Sequence, residues 1–256
     1  MSIPRAAQTP ATRFAGLQAD RKALVLSAAL LAAGFIALGI ASQFHPSGVD
    51  PNNHPAVFVT YAKSTAWTAD HLGGFLAQAM AIVGLLVLFY ALNLQGGMSG
   101  LVARIGIASA GVALALTAVQ FAVDGVVLKR AVDAWISAPD AEKVARFASA
   151  ETVRWLEEAT GSYQALVLGF TLILLAALVG WTARISRPIG YLLVLSGLLA
   201  LGGLGYIARG WILGAAGFAP EGATPTQIAQ YSQPIWSVLL LIVAWRMRPA
   251  PEAQHG

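Results

Sequence analysis

The stretch Trp67-Thr-Ala-Asp70-His71-Leu-Gly73-Gly74-Phe-Leu-Ala-Gln78 opens polar and then runs on, with no further charge, into an apolar segment that ends near Asn93. From Asp70 to Asn93 it exceeds the roughly 20 residues that carry an α-helix across about 30 Å of hydrocarbon. The acid and the histidine stand in its first turn, where water meets lipid. The segment therefore predicts a membrane-spanning helix with its polar groups gathered at one end.

Outward from this segment the pattern repeats. Further spans are expected at Ala23–Ser42, Leu101–Val127, Ala159–Trp181, Ile189–Trp211 and Tyr231–Trp245. The fold class that follows is an all-α polytopic membrane protein, a six-transmembrane-helix bundle. Residues 1–22 form a polar N-terminal segment, 23–247 the transmembrane domain and 248–256 a polar tail. The first span is too long for the apolar core of a signal peptide, about 7–15 residues. The glycine-rich connection Leu94–Gly100 is short, which makes the second and third spans antiparallel neighbours.

Two longer connections, 44–66 and 128–158, are expected on one side. The first contains His45-Pro46 and Asn52-Asn53-His54-Pro55, residues that favour turns. His45, Asp50 and His54 there are metal-ligand types, although a histidine beside proline is more often an ordinary loop residue. In the second connection Pro139 interrupts the chain and Ser137 and Asp140 are suitable caps. Asp140–Trp155 then has the pattern of an amphipathic helix lying in the interface, with Val144, Phe147, Ala148 and Trp155 toward lipid.

Composition agrees with this architecture. Of 256 residues 57% are hydrophobic and 11% charged, and the mean hydropathy is +0.67. A soluble chain carries about 25% charged residues, so this one cannot cover itself in water. The absence of cysteine removes disulfides, thiolate metal sites and Cys nucleophiles. The net charge of +4 does not indicate nucleic acid, because the basic residues scatter to helix ends where they meet lipid headgroups. Six spans place both termini on one side. Nine of the sixteen Lys/Arg fall on the side of the termini, which favours a cytoplasmic N- and C-terminus in a bacterial inner membrane.

Helical spacing sharpens the polar cluster. His71, Gly74, Phe75 and Gln78 share one face, Gln120 and Asp124 another, and Glu157, Gly161 and Gln164 a third, while Tyr206 pairs with Arg209. On the expected topology all of them lie toward the extracytoplasmic side. Polar groups at membrane depth are costly and usually face a bundle interior or a cavity. The cluster thus marks a polar vestibule, with Trp67, His71, Gln78, Gln120, Asp124, Gln164 and Arg209 as candidate ligand-binding residues and Trp67, Trp135 and Trp155 at its rim. Interhelical hydrogen bonding, N-terminal acids favoured by the helix dipole, and Arg209 snorkelling to headgroups explain the same residues structurally.

Two functional readings follow. The leading one is binding of a small ligand, a lipid or a membrane protein partner in the vestibule. The alternative is a metal-dependent, hydrolase-like membrane enzyme. In it a divalent metal would be held by His71, Asp124 and Glu157 or Glu158, with Arg209 on an anionic substrate group. Haem lacks a second axial histidine, and proton-coupled transport lacks a deep carboxylate. No nucleotide-binding, zinc-protease or serine-hydrolase motif appears.

The string Tyr61-Ala62-Lys-Ser64-Thr-Ala-Trp67-Thr-Ala-Asp-His71 resembles the opening of the second helix in a group of uncharacterised bacterial six-helix integral membrane proteins. Asp124-Gly125 through Trp135, Glu151 through Glu157 and Arg187-Pro188-Ile-Gly190 are similar to further strings of that group. Asp70 departs from it, where a neutral residue is expected. The resemblance spans most of residues 44–205, implies the six-helix fold and leaves the chemistry open.

Overall fold

A computed structural model of the chain describes residues 20–46, 48–92, 94, 96–183, 189–217 and 224–246. Residues 1–19, the Arg184/Arg187 turn, residues 218–223 and the tail 248–256 lie outside them. The described residues form eight α-helices and no strand: α1 (Arg21–Ala41), α2 (His54–Lys63), α3 (Trp67–Ala91), α4 (Gly97–Ala122), α5 (Lys129–Ile136), α6 (Asp140–Ala183), α7 (Ile189–Ala216) and α8 (Thr224–Arg246). Five helical segments are long and apolar enough to cross a membrane, and α8 contributes a shorter apolar stretch, Ser232–Val243. The protein is an all-α polytopic bundle.

The spans form a ring. α1 packs on α3, α3 on α4, α4 on α6, α6 on α7 and α7 on α8, and α8 returns to α1. Small residues set the spacing. A Cβ on Gly34 of α1 would stand 2.7 Å from the Ala77 carbonyl oxygen of α3, and Ser27 Oγ donates to the Gly84 carbonyl at 2.7 Å.

The α6–α7 pair is the closest seam. Ser162, Gly169 and Ala176 face Gly210, Gly203 and Ser196 in one antiparallel register, so small residues recur every seven positions on both helices. Ser162 Oγ donates to Gly210 O and Ser196 Oγ to Ala176 O, each at 2.8 Å. A Cβ on Gly169 would stand 2.6 Å from Gly203 O. The seven-residue period keeps the seam in contact where two right-handed helices cross with a left-handed supercoil, and close backbones gain dispersion in lipid, where no hydrophobic effect drives helices together.

The second long connection is not a separate helix lying in the interface. α4 continues through a π-helical segment, Val123–Leu128, into α5, and after a tight turn α6 runs unbroken for 44 residues. At 1.5 Å per residue α6 is about 66 Å long, twice the hydrocarbon thickness of roughly 30 Å. Its first half therefore stands outside the bundle as one arm of a hairpin with α5. Asp140–Trp155 is that arm rather than a separate interfacial helix. The sequence holds no breaker between Trp155 and Ala159, so the helix never ends at the membrane surface. Lys143 Nζ closes the hairpin by donating to the last carbonyls of α5, Trp135 O at 3.0 Å and Ile136 O at 2.6 Å.

Part of the expected loop 44–66 is also helical. Asn53 caps α2 and Pro55 stands in its first turn, where no amide partner is needed. α2 lays Val57, Phe58 and Tyr61 on Leu128, Val132 and Ala150, with Trp135 and Phe147 closing the edge. This second apolar core builds a cap over one end of the ring.

Candidate metal centre beneath the cap

The site forms where the cap meets the ring. α3 begins at Trp67, and Trp67 and His71 are one helical turn apart, both buried. His71 Nδ1 donates to the Trp67 carbonyl at 2.7 Å, which fixes the ring and turns Nε2 toward α4. There Nε2 meets Asp124 Oδ2 at 2.8 Å. The other carboxylate oxygen, Oδ1, is buried without a hydrogen-bond partner. Asp70 is the second acid near the imidazole, 3.9 Å from Nδ1.

The π segment makes this approach possible. A wider helical turn releases backbone carbonyls from their usual partners, and such carbonyls need new donors. Trp67 Nε1 donates to Asp124 O and Thr68 Oγ1 donates to Gly125 O, both at 3.0 Å. Gly125 has no side chain where one would collide: a Cβ there would lie 2.5 Å from the Cβ of His71. The start of α3 thus satisfies the carbonyls that the π segment exposes, and α4 presents Asp124 in return.

His45 completes the group from the chain just beyond α1. Its ring lies 5.5 Å from that of His71 and 5.2 Å from that of Trp67, and its outer edge is exposed. Nδ1 lies 3.0 Å from Pro46 O, so the tautomer that donates this bond leaves Nε2 with a free lone pair. One ligand atom from each of His45, His71 and Asp124 lies within 4.8 Å of the others. Loss of hydration on the packed side, the largest influence, holds His45 below the ordinary histidine range despite the nearby acids.

An aromatic column walls the site toward the cap. Tyr61 packs on Trp67 with ring centroids 4.0 Å apart and Trp67 on His71 at 4.2 Å, each pair tilted by 30–39°, while the Arg154 guanidinium lies 5.5 Å above the Tyr61 ring. Burial pushes the Tyr61 phenol well above its usual range, so it keeps its proton at neutral pH. Arg154 is itself buried and donates to Glu157 at 2.7 Å.

Trp67, His71 and Asp124 therefore converge, and the other expected residues occupy different places. Glu157 is held by Arg154, and Glu158 faces His54 at 3.8 Å. His54 also meets Glu151 at 3.0 Å, so it pins α2 to α6 and is separated from His45. Asp50 accepts from the Asn52 amide in its own turn. Gln164 donates to Thr117, and Gln120 packs against Gly161. Gln78 lines a crevice of about 20 Å³ in the ring centre beside Trp236 and Tyr206, whose hydroxyl bonds Gln233. That volume holds a single water. Arg209 lies one turn from Tyr206 and has no carboxylate within 4.0 Å among the described residues. His45 is the residue that sequence spacing did not join to His71; its position four residues past α1, at the same end of the ring, was the available signal.

No family model, curated protein or solved structure matches this chain.

Proposed function

We propose that the protein is a membrane metal-binding protein whose small ligand is one divalent transition-metal ion, held by His45, His71 and Asp124 on the extracytoplasmic side of a bacterial inner membrane. The convergence of those three side chains carries the reading. Two imidazoles and one carboxylate suit Zn²⁺, Fe²⁺ or Mn²⁺, and each imidazole has its Nδ1 beside a backbone carbonyl, which leaves Nε2 of His45 open and turns Nε2 of His71 onto Asp124, where an ion between them would take both as ligands. The unpartnered Oδ1 of Asp124 supports it further, since a buried carboxylate oxygen without a donor is costly and a cation satisfies it. Both termini are cytoplasmic in this reading, and lipid anchors the rim through the exposed Trp155.

Three protein ligands leave coordination positions open. That observation keeps a hydrolase-like enzyme as the second reading, with His45 as third ligand where a glutamate was expected and with a metal-bound water as nucleophile.

The test is elemental analysis and Zn²⁺ titration of the purified protein in detergent, with His45→Ala, His71→Ala and Asp124→Asn in parallel. The expected result is about one ion per chain, with affinity reduced about a hundredfold or more when a ligand is removed. Equal metal content in all four proteins overturns the proposal. His71 and Asp124 would then form a hydrogen-bonded joint between α3 and α4.

A further inference from the structure

A second cavity, of about 400 Å³, opens between α6 and α7 on the cap side of the ring. Its volume falls in the range of small-molecule pockets, about 300–1,000 Å³. Gly210 and Gly214 line it from α7, and Ala159 and Ser162 line it from α6. Leu166 and Leu213 give it apolar walls.

The mouth is bounded by Trp155, Tyr163 and Trp211, which are 53%, 64% and 69% exposed. Large aromatics left open on a membrane protein belong to the headgroup belt, where one end of the ring is apolar and the other wet. The groove therefore begins at headgroup level and descends along apolar walls. Glu158 is the one charged side chain in its lining. Its carboxylate is 15% exposed, stands 3.8 Å from His54, too far for a hydrogen bond, and shares the field of the Arg154 charge one turn back on α6.

We infer that this groove binds one phospholipid with an amine headgroup, its acyl chain along Leu166 and Leu213 and its ammonium on Glu158. Charge complementarity decides the class: an ammonium donates to the carboxylate, whereas an anionic glycerol headgroup places like charges together. The site is separate from the metal centre, and neither depends on the other.

The experiment reconstitutes the full chain in nanodiscs of equal phosphatidylethanolamine and phosphatidylglycerol, washes it in mild detergent and counts retained lipids by native mass spectrometry. Wild type is expected to hold about one phosphatidylethanolamine per chain, with a preference of about tenfold, the size of one charge-assisted hydrogen bond. Glu158→Gln removes the preference while leaving a lipid bound. Ala159→Phe, which adds bulk from an exposed position, expels the lipid while the thermal transition stays in place. Equal retention of both lipids by wild type, or a lipid held unchanged by Ala159→Phe, overturns the inference. Metal content, measured on the same samples, is expected to be unaltered by both substitutions.

Discussion

His71 Nε2 stands 2.8 Å from Asp124 Oδ2, and the approach depends on the residue after the acid, because a Cβ on Gly125 would lie 2.5 Å from the Cβ of His71. The two helices meet nearly backbone to backbone at this point. Neither can be moved without breaking the carbonyl contacts that Trp67 and Thr68 make to the π segment.

Gly125→Ala is expected to force α4 away from α3. Overpacking at a rigid contact costs about 1–3 kcal/mol. The thermal transition in detergent should fall, and Zn²⁺ binding should weaken with it because His71 and Asp124 separate. Gly111→Ala, at a position on α4 with open space around it, is the control and should leave both unchanged. Unaltered metal binding in Gly125→Ala would mean that the centre does not rely on this contact.

The six spans are legible in the sequence because lipid dictates length and excludes charge, and both properties can be read one residue at a time. The His71–Asp124 pairing is legible for a related reason: two ionisable groups at matching depth on successive spans seek each other. The cap is harder to read. Asp140–Glu158 has an amphipathic pattern that suits an interface equally well, and only the apolar faces of α2 and α5 decide that it stands upright. The π segment leaves no mark either, since Asp124-Gly125 fits an ordinary helix and the donors that stabilise the wider turn come from Trp67 and Thr68, 57 positions away. His45 was hidden by the path of its loop, which no local rule specifies.

Trp67→Phe separates packing from orientation. Phe keeps most of the stack with Tyr61 and His71 but cannot donate to Asp124 O. Loss of a group that orients a ligand typically lowers metal affinity about 10- to 100-fold. A loss in that range, read by Zn²⁺ titration with the fold intact by circular dichroism, is the expected outcome. An affinity within about twofold of wild type would assign Trp67 to packing alone.

His45 supplies one distinct part of the pH dependence of metal binding. Protons compete with the ion for imidazole lone pairs, so affinity rises with pH until each ligand is neutral. Because burial holds His45 below its ordinary 6.5, its share of the competition is finished above that value and sets in only under more acidic conditions. The same shift acts on folding. An unfolded chain takes up this proton first as pH falls through 6.5, so the metal-free protein loses stability from there down to the folded-state value and no further through this group. His45→Gln should flatten both profiles in that acidic window. Profiles that coincide with wild type would remove His45 from the site.

Arg154 and Glu157 supply the last prediction. Both are buried, one turn apart on α6, with a 2.7 Å contact, and the guanidinium also lies over Tyr61. Removing one member of a buried pair strands the other charge and costs about 3–5 kcal/mol, whereas replacing both by apolar groups of similar volume is often neutral. Arg154→Met and Glu157→Leu are each expected to lower the unfolding transition sharply, and the double variant to recover most of the loss. Such a cycle isolates the coupling between the two side chains. If the double variant instead matches the sum of the single losses, the pair has no private coupling. Arg154 would then act mainly through Tyr61, and with it through the aromatic column that ends on His71.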